Sequence, residues 1–177
     1  MRHPKLLVAA LCLALAAAAP VAAQLAETLL AQEKNWKASL FHQPGTGTAS
    51  CAGFIEEPRL GEMFGVQYIR GAGFYVMLRL PRLEAMPPET TFLVSVGESR
   101  YPLRGRNYGN EDPSGVLYLM PVKEPSLFSS LLRDLAKGAT AEVVSPQMSR
   151  QLSYSLSGSK VAIDAFFQCS QRMIAAG

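Results

Sequence analysis

Two pairs of residues have the types that covalent catalysis needs. Cys51 and His42 could serve as the nucleophile and base of a small hydrolase. Ser157 and Lys160 stand at the Ser-x-x-Lys spacing of β-lactamases and penicillin-binding proteins. In those enzymes the motif opens a helix, so that the Lys can take the Ser proton, and a helical pattern also starts here. The rest of the motif set is missing, because no Lys-Thr-Gly or Ser-Asp-Asn follows. Helix capping by Ser157 or Ser159 explains the same residues. No catalytic residue is therefore expected.

Other chemistry has less support. Glu56 and Glu57 are strand neighbours that point to opposite faces, a poor geometry for a carboxylate dyad. Glu111 and Asp112 lie together in a loop, and Asp164 falls on the solvated face of a helix. The Gly-Thr-Gly-Thr run at 45–48 lacks the Gly-Lys-Ser/Thr of a phosphate loop. Beyond residue 23, His42 is the only histidine, and Cys51 and Cys169 are too far apart for zinc-ribbon spacing. No metal or other cofactor is expected. The best binding candidate combines cationic, aromatic and amide side chains around the long loop 105–115. Arg100 and Tyr101 lead into it, and Arg104, Arg106, Asn107 and Tyr108 form the candidate binding loop for a partner or an anionic ligand.

The elements that must hold these residues begin after a leader. Residues 1–23, MRHPKLLVAALCLALAAAAPVAA, have the plan of a secretory signal peptide. Arg2, His3 and Lys5 form a positive start, an apolar Leu/Ala run follows, and Val21-Ala22-Ala23 supplies small residues for cleavage. The expected compartment is the bacterial periplasm or the exterior. The whole chain has 177 residues and a net charge of +3. The leader carries two of the 17 Lys and Arg and none of the 14 Asp and Glu, so the mature chain is close to neutral, at +1. No basic cluster marks a nucleic-acid surface, and no later apolar run is long enough to span a membrane. Cleavage also removes Cys12. Two cysteines in an oxidising compartment favour a Cys51–Cys169 disulfide. Closing a loop of that length is worth roughly 4–5 kcal/mol at most.

Strand signals dominate from Asn35 onward, after a flexible lead-in at 24–33. The patterns predict strands over 36–42, 49–55, 64–69, 73–80, 90–96, 99–104, 116–122, 141–144 and 151–157. Tyr75-Val76-Met77-Leu78 is a continuous apolar run, as expected for a strand covered on both faces. Gly97-Glu98 suits a tight hairpin turn. A helix capped by Ser126 carries Leu127, Phe128, Leu131, Leu132 and Leu135, and ends at Gly138. A last helix, capped by Ser159, puts Val161, Ala165, Cys169 and Met173 on one stripe. The fold class is mainly β: one antiparallel β-sandwich-like domain over 34–177, with two helices in its C-terminal half.

The order of these features resembles a known family. PETTFLVSVGE at 88–98 followed by Tyr101-Pro102-Leu103, the helix at 127–138 with its Leu-Leu-x-x-Leu-x-x-Gly ending, and LSYSLSG at 152–158 followed by VAIDAF are similar to the invasion-associated locus B (IalB-like) family of secreted bacterial proteins. Trp36 and Cys51 also fall where that family tends to place a Trp and a Cys. Ser39, Leu40 and Phe41 stand where it commonly has a further cysteine, so its disulfide pattern does not carry over. The resemblance implies a non-enzymatic periplasmic or secreted domain that binds a protein or envelope partner, with a link to host-cell invasion. A small hydrolase, and a periplasmic inhibitor or chaperone acting by strand-edge pairing, are the alternatives.

Overall fold

The computed structural model describes residues 26–44, 46–81, 86–108 and 115–176. The leader at 1–23 and the Glu111–Asp112 pair lie outside the described residues. Ten strands and two helices follow in order: β1 (Ala26–Glu33), β2 (Trp36–His42), β3 (Ala49–Glu57), β4 (Glu62–Ile69), β5 (Gly73–Leu80), β6 (Glu89–Val96), β7 (Ser99–Asn107), β8 (Val116–Pro121), α1 (Pro125–Lys137), β9 (Thr140–Val144), β10 (Leu152–Ser155) and α2 (Ser159–Ala175). The strands form one antiparallel sheet in the order β1-β2-β3-β4-β5-β8-β7-β6-β9-β10. The mainly β, sandwich-like class with two late helices is as expected.

The sheet curls until its two ends meet. The Trp36 indole on β2 donates to the Ser155 carbonyl at the end of β10, 2.7 Å away. The Tyr154 ring of β10 stacks on Phe64 of β4, with centroids 5.0 Å apart. Arg150 pairs with the buried Glu62 of β4, toward which the Tyr154 hydroxyl also points at 3.4 Å. At the β10–α2 turn, Gly158 has φ +92°, and a Cβ there would lie 2.4 Å from the Glu33 carbonyl. Only glycine lets the end of β1 approach this closely.

Alternation sorts each strand between two faces. The inner face carries Trp36, Cys51, Ile55, Phe64, Val76 and Leu78, all buried in one large core. Both helices pack against this side. Cys169 of α2 is disulfide-bonded to Cys51 of β3, with Cα atoms 6.0 Å apart, and Phe128 of α1 lies 4.5 Å from the Phe74 ring of β5.

Several local expectations are corrected. Residues 26–33 are not a flexible arm: they form the edge strand β1, paired to β2 with an irregularity between Leu29 and Ala31. An edge strand draws its order from its neighbour, so a mostly exposed AETLLAQE shows no clean period of two. Neither helix has a side-chain cap. Pro125 occupies the first turn of α1, where its missing N–H costs nothing. Ser159 instead donates to the Leu135 carbonyl at 2.6 Å, tying α2 to α1. Pro102 falls inside β7, but β7 meets β8 only at Arg106↔Leu119 and Asn107↔Tyr118. Around Pro102 the strand is paired on one side alone, where a proline is tolerated.

Candidate functional site

The outer face of the sheet holds a second apolar cluster. Ala52 and Phe54 of β3, Met77 of β5 and Leu119 of β8 are buried on it. The continuous run on β5 thus does fill both faces, but the outer half is covered by neighbouring side chains of the sheet, while both helices sit on the inner side. One register row crosses this face from strand to strand: Lys37, Phe54, Gly65, Met77, Leu119 and Arg106. Gly65 is required in that row, because a Cβ there would stand 2.3 Å from the Gly53 carbonyl and 2.6 Å from the Phe54 Cβ. Half-buried Met63 and Leu117 flank the row on one side, and Ile69 and Tyr75 on the other.

The two ends of the row differ in charge. At the β2 end, the Lys37 ammonium sits 4.7 Å from the centre of the Phe54 ring and pairs with Glu56 at 2.9 Å and Glu27 at 3.8 Å. Arg79 also reaches Glu56, at 3.4 Å. Two cations thus meet two anions. A groove of about 360 Å³ lies over this end. At the β7 end, Arg104 and Arg106 each take one oxygen of Glu89, at 2.6 and 2.8 Å. Their side chains are 77% and 64% exposed, so donors remain on the solvent side. Hydrogen bonding from Arg106, then the charge of Arg104, holds the Glu89 carboxyl below the usual range. The same bond pushes the Arg106 guanidinium up. Tyr75, Tyr108 and Lys123 join them around a pocket of about 510 Å³. Among the described residues, three cations there face one carboxylate.

The expected binding loop is therefore only partly a loop, and strand alternation divides it. Arg104 and Arg106 are strand residues on the outer face, and Tyr108 follows β7 and lines the pocket. Asn107 pairs with Tyr118 on the opposite face and does not line the pocket. Tyr101 also points inward, where its hydroxyl donates to Asp134 of α1. Arg100 folds back onto its own turn, donating to the Gly97 carbonyl at 2.8 Å. Glu89 and Lys123 escaped the sequence reading. Glu89 was legible in principle, since a hairpin around Gly97-Glu98 puts it directly across from Arg106.

The two catalytic pairings do not assemble. Cys51 is consumed by its disulfide. Ser157 accepts a hydrogen bond from Lys34, a non-glycine residue with positive φ (+52°), whereas Lys160 pairs with Asp164 one turn along α2 at 2.5 Å. Both Ser157 and Lys34 are exposed. Among the described residues, no group of three His, Cys, Asp or Glu could hold a metal ion, and no helix is long and apolar enough to cross a membrane.

No protein-family model, curated protein or solved structure matches the chain.

Proposed function

We propose that the chain is a non-enzymatic periplasmic or secreted envelope protein of the IalB-like type, working by binding through the outer face of its sheet. The observation that carries this reading is the twin guanidinium at Glu89. A carboxylate that anchors two arginines side by side, with Lys123 at the same pocket, orients donors toward an anionic group from solvent. The leader pattern supports the compartment. Strand-edge pairing has less support: β10 spans four residues, and β1 carries Glu27, Glu33 and an irregular register, features that blunt an edge.

The test is affinity capture on the mature chain from its native periplasm, with the Arg104→Ala/Arg106→Ala variant in parallel. A bound species retained by the natural sequence and lost by the variant is the expected result. Equal retention by both, or turnover of a defined substrate by the mature chain, overturns the reading.

A further inference from the structure

The helical side of the molecule carries a groove of its own. α1 and α2 run in opposite senses. Ser159 at the start of α2 donates to the Leu135 carbonyl near the end of α1, and Phe166 farther along α2 meets Phe128 in the first turns of α1, with ring centroids 6.3 Å apart. Between the two helices lies a groove of about 390 Å³. α1 gives it the stripe Ser129, Leu132, Arg133, Ala136 and Lys137. α2 gives it Lys160, Ile163, Asp164 and Phe167. Steps of three and four residues keep each stripe on one helix face. Two such stripes side by side form the seat that a third helix takes in a bundle. The floor is apolar, with Leu132 and Ile163 only 8% and 4% exposed. Ala136 is small enough to let another backbone come close. Phe167, at 49%, is the most exposed large apolar side chain on either helix.

We propose that this groove docks about two turns of an acidic amphipathic helix from a protein partner. The inference goes beyond the outer-face reading and does not depend on it. Charge sets the sign of the partner. Among the described residues, Arg133, Lys137 and Lys160 line the groove with a single carboxylate, Asp164, which Lys160 already holds. Asp134, beside Arg133, does not line the groove and takes the Tyr101 hydroxyl on the sheet side. Arg133 and Lys137 are left for acidic side chains of a partner. The breaks at 82–85 and 109–114 open beyond Leu80 of β5 and Asn107 of β7. α1 packs on the other ends of these strands, at Phe74 and Tyr101, each six residues away or about 20 Å. Length sets the contact, since Ser129 to Lys137 covers about 12 Å at 1.5 Å per residue. Shape favours a helix over a bilayer surface, because Leu132 and Ile163 lie at the bottom of a concavity that a flat surface does not enter. A second copy of the chain offers no acidic helix: of the exposed charged side chains on α1 and α2, only Asp164 is negative.

The experiment titrates the mature chain with a designed peptide of about 15 residues, Leu at every third or fourth position and Glu between. Beside it stand the same pattern with Lys for Glu, a scrambled peptide of the same Leu and Glu content, and anionic phospholipid vesicles. Calorimetry should show the acidic helix binding one to one, and circular dichroism a gain of helix on mixing. Amide shifts should centre on Ala136, Ile163 and Phe167. Phe167→Ala should weaken binding by about tenfold or more, the loss expected of an aromatic anchor. Arg133→Glu/Lys137→Glu should abolish binding of the Glu peptide and create binding of the Lys peptide, a switch that mere loss of structure does not produce. All three side chains are exposed, and unchanged melting curves check that the fold holds. Arg104→Ala/Arg106→Ala should bind the Glu peptide as the natural sequence does. The proposal is overturned by no saturable binding of the Glu peptide, by equal binding of the scrambled or Lys peptide, by vesicles binding in its place, or by binding that survives the charge reversal. If the peptide binds but is lost with Arg104 and Arg106, it sits on the outer face: the groove proposal fails and the outer-face reading stands.

Discussion

The inner and outer faces of the sheet are both apolar at their centres, but they are finished differently. The inner face is closed by α1 and α2 and locked by the Cys51–Cys169 bond. The outer face buries Phe54, Met77 and Leu119 only under side chains of the sheet itself, with ion pairs at both ends. A face that folding needs is covered by structure. The outer face instead keeps a groove and a separate pocket open to solvent, and among the described residues the pocket has Arg104, Arg106 and Lys123 around the one carboxylate of Glu89.

The contrast predicts a steep difference in mutational cost. Replacing both Cys51 and Cys169 by Ala should cost about 2–5 kcal/mol, because the bond closes a loop of 118 residues and fastens α2 to β3. Denaturant unfolding of the double variant measures this, and a change under about 1 kcal/mol would mean that packing alone holds the helix. Arg150→Ala should come next, at about 3 kcal/mol, since it leaves the carboxylate of Glu62, 3% exposed, without its cation where the two ends of the sheet meet.

Tyr101→Phe should cost about 1–2 kcal/mol through loss of a hydrogen bond to a carboxylate. It should also flatten the pH dependence of stability at both extremes. The hydrogen bond from Tyr101, and then that from Ser99, holds the Asp134 carboxyl below its ordinary range. Its contribution is complete above the unfolded value and is lost as pH falls through the lower folded value. Burial, then the bond to Asp134, pushes the Tyr101 hydroxyl up. That contribution is complete below the ordinary tyrosine range and is lost as pH rises through the folded value. Melting curves of both proteins at acid, neutral and alkaline pH check the sign. The smallest effect belongs to the outer face. Leu117→Thr should change stability by no more than about 1 kcal/mol, because the side chain is half-buried at the outer-face groove. A larger loss would place the outer cluster in the folding core and erase the distinction between the faces.

Much of this architecture was readable from residue order. The strands at 36–42 and 73–80 have the bounds read from their patterns, and the Leu stripe of α1 faces the core, whereas of the α2 stripe only Cys169 and Met173 are buried: Val161 is exposed, Ala165 is half-buried, and Ala162, Ile163 and Phe166 fill the core instead. Elements with few buried residues were harder to read. β1 reads as a lead-in because its pairing partner, not its own alternation, orders it. Arg106 reads as loop because Gly105 and Asn107 flank it, yet β6 carries the strand on to Arg106 and β8 to Asn107.

The sequence by itself determined which residues alternate, which repeat at helical spacing, and that two cysteines, Cys51 and Cys169, lie beyond residue 23. These are local or compositional properties, set by backbone geometry every two to four residues. Only the tertiary structure decided that Phe54, Met77, Leu119 and Arg106 stand in one row. They come from four of the five neighbouring strands β3-β4-β5-β8-β7, an order set because β5 pairs with β8 rather than β6. That choice depends on how the whole sheet curls to bury its inner face, a balance of long-range packing that no short window of residues contains.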